Sequence, residues 1–178
     1  MPSRSPRSVA QGLADHLNGV LNSTVTDARL SLLGSAGDAR RFTLGCLEGA
    51  SPVAFKLRGS TARLLVLQDL RVVGEHCETL GYQYRISHGP EKASWMLRWE
   101  YLRQPLDGGY PYPLAHVHVN GTLGSTALAG LHIPTARLPL EFVLWHLIVE
   151  WSVTPKREDW RDVLQQSIDG FHRKRRSP

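Results

Sequence analysis

Apolar residues recur every three or four positions near the start of the chain, at Val9, Leu13, Leu17, Val20 and Leu21. This spacing predicts an amphipathic helix from Ser8 to about Asn22. Two more helices are predicted near the other end. One begins after Pro139 and has two apolar stripes, which indicates a nearly buried helix. The other opens at Thr154-Pro155 and runs through Phe171.

The middle of the chain alternates between apolar and polar residues, which is the period of β-strands. Residues 41–47 and 52–58 are predicted to form one hairpin. Residues 82–86 and 95–101 are predicted to form a second, and residues 114–120 a further strand. The apolar runs 64–67 and 70–73 are too short to distinguish a strand from a helix.

These elements predict a single α+β domain over residues 8–172. It consists of an N-terminal helix, an antiparallel sheet of about five strands, and two C-terminal helices packed on one face of the sheet. A chain of 178 residues is long enough to bury one such core. Residues 1–7 are predicted to be a disordered basic tail, and residues 173–178 a second basic tail.

The positive charge is concentrated at the two ends of the chain. The formal net charge is +5, and without Arg4, Arg7 and the four basic residues at 173–176 the remainder carries −1. The tails are therefore interpreted as solvated segments, or as points of non-specific attachment to RNA, DNA or an acidic partner. No apolar run approaches the ~20 residues of a membrane span, and no secretory signal is recognisable. We therefore expect a cytoplasmic protein with no membrane partner.

The densest chemistry lies in the segment Tyr110-Pro-Tyr-Pro-Leu-Ala-His116-Val-His118. On a strand, His116 and His118 point to the same side, with Cα atoms about 6.5–7 Å apart. Two such imidazoles could bind one metal ion, with a third ligand from His132, Glu100 or Asp107. The residues after His118 match neither the cupin pattern nor that of JAB-type metalloproteases, so the leading hypothesis includes no metal and no cofactor.

The alternative chemistry is general acid–base catalysis on RNA, because histidine titrates near neutral pH. In this hypothesis His116, His118 and Glu100 are catalytic. The candidate substrate-binding residues are Arg85, Arg98, Tyr101 and Arg103. Strand alternation places Arg85, Arg98 and Glu100 on the face of the two histidines, while most of the neighbouring aromatic residues fall on the core face. The competing interpretation of the polar face is an ordinary solvated sheet surface.

Four motifs resemble the TumE-like toxins of bacterial toxin–antitoxin systems. They are Tyr82-Gln-Tyr84-Arg85, Leu97-Arg98-Trp99-Glu100-Tyr101, His116-Val-His118 and Leu140-Glu-Phe-Val-Leu-Trp. The resemblance covers about residues 80–150. It implies a compact antiparallel sheet and a growth-inhibiting protein that an antitoxin-like partner neutralises. In place of the family's polar segment before the histidines, this chain has Tyr110-Pro-Tyr-Pro113.

The leading hypothesis is therefore a small cytoplasmic toxin-like protein that acts on RNA, with a ribonuclease-like activity. Two alternatives remain open. One is a non-catalytic module for protein binding or assembly, which would use the tails or an exposed sheet edge. The other is a metal-dependent hydrolase.

Overall fold

The computed structural model describes residues 4–89, 94–105 and 112–176, with side chains as far as Gly170. Three α-helices lie within these ranges: α1 Pro6–Thr24, α2 Leu140–Glu150 and α3 Trp160–Arg176. The strands in the same ranges are β1 Ser31–Ser35, β2 Asp38–Gly45, β3 Leu47–Glu48, β4 Ser51–Pro52, β5 Phe55–Lys56, β6 Ala62–Val73, β7 His76–His88, β8 Trp95–Leu102, β9 Ala115–Val119, β10 Thr122–Leu123, β11 Thr126–Ala127 and β12 Ile133–Pro134.

Eight of these strands form one antiparallel sheet. Its order is β1-β2-β6-β7-β8-β9-β12, and β5 pairs with the part of β6 that β2 leaves uncovered. The long strands β6 and β7 pair along their whole lengths at the centre of the sheet. The short pairs β3–β4 and β10–β11 form two small separate sheets. The sheet is therefore larger than the predicted five strands.

Helices α1 and α2 pack on one face of this sheet, and α3 packs against both of them. The core between the two layers includes Leu17 and Leu21 of α1, Tyr84 of β7 and Leu144 of α2. Ser5 starts α1, because its hydroxyl accepts a hydrogen bond from the backbone N–H of Ser8 at 3.2 Å. The α+β architecture with helices on one face confirms the prediction. The opposite face of β7, β8 and β9 is left for polar side chains.

The first predicted hairpin forms only near its turn, where Leu47 of β3 pairs with Pro52 of β4 and the N–H of Val53 donates to the carbonyl of Cys46. The rest of it is wrong, because residues 41–45 of β2 pair with β1 and β6, while Phe55 and Lys56 pair with β6. Strand β2 forms its hairpin with β1, across a turn in which Gly37 has a positive φ of 87°. The two undecided apolar runs belong to one continuous strand, β6. The second predicted hairpin is confirmed as β7 and β8.

The helices also differ from their predicted bounds. Helix α3 begins at Trp160 rather than at Thr154, and its backbone continues through Arg176, into the basic run assigned to a tail. Helix α2 is less buried than its composition predicts, since Phe142 and Val149 are 41% and 49% exposed. Helix α1 starts at Pro6, within the segment assigned to the N-terminal tail.

None of the helices in the described ranges is both long enough and apolar enough to cross a membrane.

Candidate functional site

The register of three strands places the predicted polar residues side by side. Across β7, β8 and β9, one row of paired Cα atoms runs Gln83, Glu100, His116. The adjacent row on the same face runs Arg85, Arg98, His118. Because neighbouring core residues such as Tyr84 and Trp99 point to the helices, these two rows lie on the other face. The structure thus brings five of the seven predicted site residues together.

Glu100 lies between the two histidines. Its Oε2 is 3.0 Å from Nε2 of His118 and 3.4 Å from Nε2 of His116. Both rings are nearly enclosed, with 1% of His116 and 3% of His118 exposed, whereas the Glu100 side chain is 24% exposed. The histidines therefore do not form the solvated surface of the competing interpretation.

The second nitrogen of each ring faces a backbone carbonyl. Nδ1 of His116 is 2.7 Å from the oxygen of Pro113, and Nδ1 of His118 is 3.3 Å from the oxygen of Ala129. A carbonyl oxygen can only accept a hydrogen bond, so Nδ1 of His116 carries a proton and donates it to Pro113, and in the neutral ring Nε2 then presents a lone pair towards Glu100. His118 lies between two acceptors, so its neutral ring donates either from Nδ1 to Ala129 or from Nε2 to Glu100.

His132 completes a cluster of three imidazoles. The pairing of Ile133 with Val117 brings the preceding residue, His132, to the histidine strand. Its ring centroid lies 4.8 Å from that of His116 and 4.4 Å from that of His118. One ligand nitrogen from each of the three residues lies within 4.8 Å of the others. The ring of His132 also stacks on that of Tyr112, with centroids 3.5 Å apart.

The outer oxygen of Glu100 accepts one hydrogen bond and forms one ion pair. The Gln83 side-chain amide donates to Oε1 at 2.8 Å, and Nε of Arg98 lies 3.1 Å from the same atom. Burial opposes ionisation of Glu100, but the Gln83 hydrogen bond and the Arg98 charge outweigh it and lower the pKa of this carboxyl. Glu100 is therefore a carboxylate at neutral pH.

The pKa of His118 is also lowered, and because imidazole is a base this favours its neutral form. Burial and the charge of Arg98 lower the pKa of His118, although Glu100 and the carbonyl of Ala129 raise it. The neutral ring is therefore favoured at neutral pH. Nε2 of His118 lies 3.0 Å from the ionised Glu100, which is hydrogen-bond distance in the tautomer that carries its proton on Nε2.

Two predicted substrate-binding residues do not join this cluster. Tyr101 faces the core side, where its ring centroid lies 5.4 Å from that of Tyr82. Arg103 follows the end of β8, with Nε 3.3 Å from the carbonyl of Thr79 and Nη2 3.8 Å from Glu78. Asp107, a suggested metal ligand, lies outside the described residues.

Sequence reasoning assigned no role to Gln83 and considered His132 only as an alternative ligand. The alternation in β7 already places Gln83 beside Arg85 on the polar face, so its position was available from the sequence. The position of His132 was not, because it depends on how the chain returns after β10 and β11 to pair with β9.

Comparison of this chain with protein-family models, with curated proteins and with solved structures finds no match. The function is therefore argued from the geometry of the site.

Proposed function

We propose that this protein binds a divalent transition-metal ion and is a metal-dependent enzyme, with hydrolysis as the simplest reaction class. The ligands would be Nε2 of His116, Nε2 of His118, one nitrogen of His132 and Oε2 of Glu100. Two observations carry this proposal: one ligand nitrogen from each of three imidazoles lies within 4.8 Å of the others, and Oε2 of Glu100 lies within 3.4 Å of Nε2 of both His116 and His118. Imidazole and carboxylate are the ligands that zinc, iron, manganese and nickel accept in proteins.

The distances suit such an ion. With bonds of about 2.0–2.1 Å, tetrahedral ligand atoms lie about 3.4 Å apart. The two separations from Glu100 to the histidines, 3.0 and 3.4 Å, are already close to this value. Binding requires a shift of roughly 1 Å among the imidazole nitrogens, which lie up to 4.8 Å apart.

The hydrogen bonds around the cluster also suit an ion. Metal-bound histidines commonly donate their second ring N–H to a carbonyl or carboxylate, which orients the ring and raises its basicity. His116 and His118 both have this arrangement, through Pro113 and Ala129. The carboxylate is oriented by the hydrogen bond from Gln83 and by the charge of Arg98. A cation at the centre would accept the lone pairs of Glu100 and, with both rings protonated on Nδ1, those of the two Nε2 atoms.

A bound divalent ion would supply Lewis-acid chemistry and lower the pKa of a coordinated water. Four protein ligands leave two open positions on a six-coordinate ion but close a tetrahedral one. Of the imidazoles, His132 is the more accessible one, because His116 and His118 are buried. We therefore expect substrate to approach from the side of His132.

The direct test is a metal titration of untagged, chelator-treated protein by calorimetry, with Zn²⁺ and Mn²⁺ as probes. We expect one ion per chain, and at least about 100-fold weaker binding in His132→Ala, because outer contacts alone are worth 10–100-fold. His76→Ala removes an exposed imidazole from the end of β7 and is the matched control. Absence of binding to the wild type, or equal affinity in His132→Ala, would overturn the proposal.

A second candidate is metal-free acid–base cleavage of RNA by His116 and His118. It is favoured by the contact of Glu100 with both rings, since a carboxylate can orient a catalytic histidine. RNA cleavage that persists with excess chelator and is lost in folded His118→Ala would support it. Cleavage that requires metal would assign the reaction to the metal centre.

The toxin-like role, the antitoxin-like partner and the cytoplasmic location remain predictions, as does the alternative of a binding module.

A further inference from the structure

Two arginines form a like-charged pair beside the cluster. Arg85 of β7 and Arg98 of β8 are directly opposite each other in the strand register, so both side chains project from the same face. Like charges in directly opposed positions destabilise a sheet. On β9, the residue opposite Arg98 is His118 and the residue opposite Glu100 is His116, so β9 supplies no acid to this pair. The fold therefore holds two guanidinium groups together next to the proposed metal centre.

The charges around this pair do not balance. Arg98 is paired with Glu100 at 3.1 Å, and its guanidinium carbon lies 5.1 Å from the ring centroid of Trp95. Among the residues that the structure describes, no carboxylate pairs with Arg85, and its buried Nε has no hydrogen-bond partner. The carboxylate of Asp69 on β6 lies level with Gly81 and accepts a hydrogen bond from Thr43. Arg85, Arg98 and Glu100 together thus carry a net charge of +1.

We propose that Arg85 and Arg98 form a binding site for the phosphoryl group of the substrate. The inference rests on the proposed metal centre for the reaction, but anion binding by the two arginines needs no metal. Guanidinium groups bind phosphate oxygens through paired N–H donors. Arg85, Arg98 and Glu100 together carry a net charge of +1, which favours an anion, and the two guanidinium groups can each donate to a different oxygen of one phosphoryl group. Because Arg98 and His118 are register neighbours, a phosphoryl group bound here would lie beside the metal ligands.

The test is calorimetric titration of metal-free protein with inorganic phosphate, phenyl phosphate and a dinucleoside monophosphate, with acetate for comparison. We expect at least one of the three phosphates to bind at least tenfold more tightly than acetate. The two esters distinguish a monoester from a diester substrate. Absence of phosphate binding, or equal binding of acetate, would overturn the inference.

Two variants distinguish phosphate binding at a specific site from attraction by the net charge of the protein. Arg85→Gln should weaken phosphate binding at least tenfold, while Arg71→Gln, which removes an arginine paired with Glu78, should leave it unchanged. Equal losses in both variants would overturn the inference. If circular dichroism shows that Arg85→Gln does not fold, Arg85→Lys serves instead, with a smaller loss expected because it keeps the charge without the paired donors.

The two proposals fail separately in these experiments. Metal binding without phosphate binding would overturn only the assignment to Arg85 and Arg98. Phosphate binding that depends on Arg85, in a protein that binds no metal, would overturn only the proposed function.

Discussion

The two oxygens of the Glu100 carboxylate have different neighbours, and this difference defines its role. Oε2 faces the histidines, while Oε1 is held by Gln83 and Arg98. A carboxylate that is fixed at one oxygen presents the other in a constant direction, which lowers the entropy lost when an ion binds. At the scale of single residues, Gln83 is therefore a positioning residue for the proposed ligand.

We predict that Gln83→Leu weakens metal binding by about 10–100-fold without loss of the fold. The same change should raise the pKa of Glu100, because the Gln83 hydrogen bond lowers it. A carboxyl with a lowered folded-state pKa stabilises the protein above its unfolded pKa, and this contribution is lost as pH falls through the folded value. The variant should therefore lose less stability than the wild type as pH falls below the unfolded pKa, because its folded and unfolded pKa values lie closer together.

Competition titration gives the metal affinity, and urea unfolding between pH 7 and pH 3 gives the stability. Gln165→Leu is the control, since it removes an exposed amide–carboxylate bond within α3. An unchanged metal affinity in Gln83→Leu would show that the amide does not position Glu100.

At the scale of elements, one buried polar contact joins the three helices. Nε2 of His16 on α1 lies 2.7 Å from the hydroxyl of Ser167 on α3, which donates a hydrogen bond to Glu141 on α2. The Glu141 side chain is only 5% exposed. Burial raises its pKa, but contacts with His16 and Ser167 outweigh this and lower the pKa of Glu141. The sequence places Glu141 in the first turn of a helix but does not reveal these partners.

We predict that Glu141→Gln lowers the free energy of unfolding at pH 7 by about 1–3 kcal/mol, the range for hydrogen bonds to a charged group. Because the folded-state pKa lies below its ordinary value of 4.5, the ionised carboxylate stabilises the fold above that pH. The difference between variant and wild type should shrink as pH falls through the folded pKa. Urea unfolding at pH 7 and pH 3.5 checks this, with Glu158→Gln, at an exposed residue, as control.

At the scale of the whole molecule, distant parts of the chain meet beside one glycine. The N–H of Arg58 donates to the carbonyl of Val25 after α1, and the N–H of Thr154 after α2 donates to the carbonyl of Arg58. Gly59 lies at this junction with φ +66°, and a Cβ there would lie 2.3 Å from Oγ1 of Thr154. The beginning, middle and end of the domain are thus joined where only glycine fits.

We predict that Gly59→Ala lowers the free energy of unfolding by more than Gly37→Ala does. Gly37 also has a positive φ, +87°, but a Cβ there meets nothing within 4 Å. Gly37→Ala should therefore show only the backbone cost of roughly 1–2 kcal/mol, and Gly59→Ala the additional cost of overpacking, about 1–3 kcal/mol. Urea unfolding of both variants checks this, and equal losses would contradict it.

The sequence predicts those elements in which the spacing of apolar residues shows which side of the element is buried. Strands β7 and β8 alternate between core and polar residues, so their hairpin and the polar face could be predicted. Strand β6 is buried at most positions, which removes the alternation and left its secondary structure undecided. Strand β5 has only two residues, and the sequence does not indicate that the edge of β6 would bind it. The same limit applies to His132, whose neighbours are set by tertiary pairing.

The chain between β9 and β12 contributes twice to the histidine cluster. It supplies the carbonyl of Ala129 to His118, and it ends in His132. Its return to the sheet rests on a two-residue pairing, Ile133 with Val117 and Pro134 with His116. A single local opening of this segment would therefore remove one proposed ligand and the orienting partner of another. The rate at which a bound ion is released should then equal the rate at which this segment opens. The strength of the individual metal–ligand bonds would not set that rate.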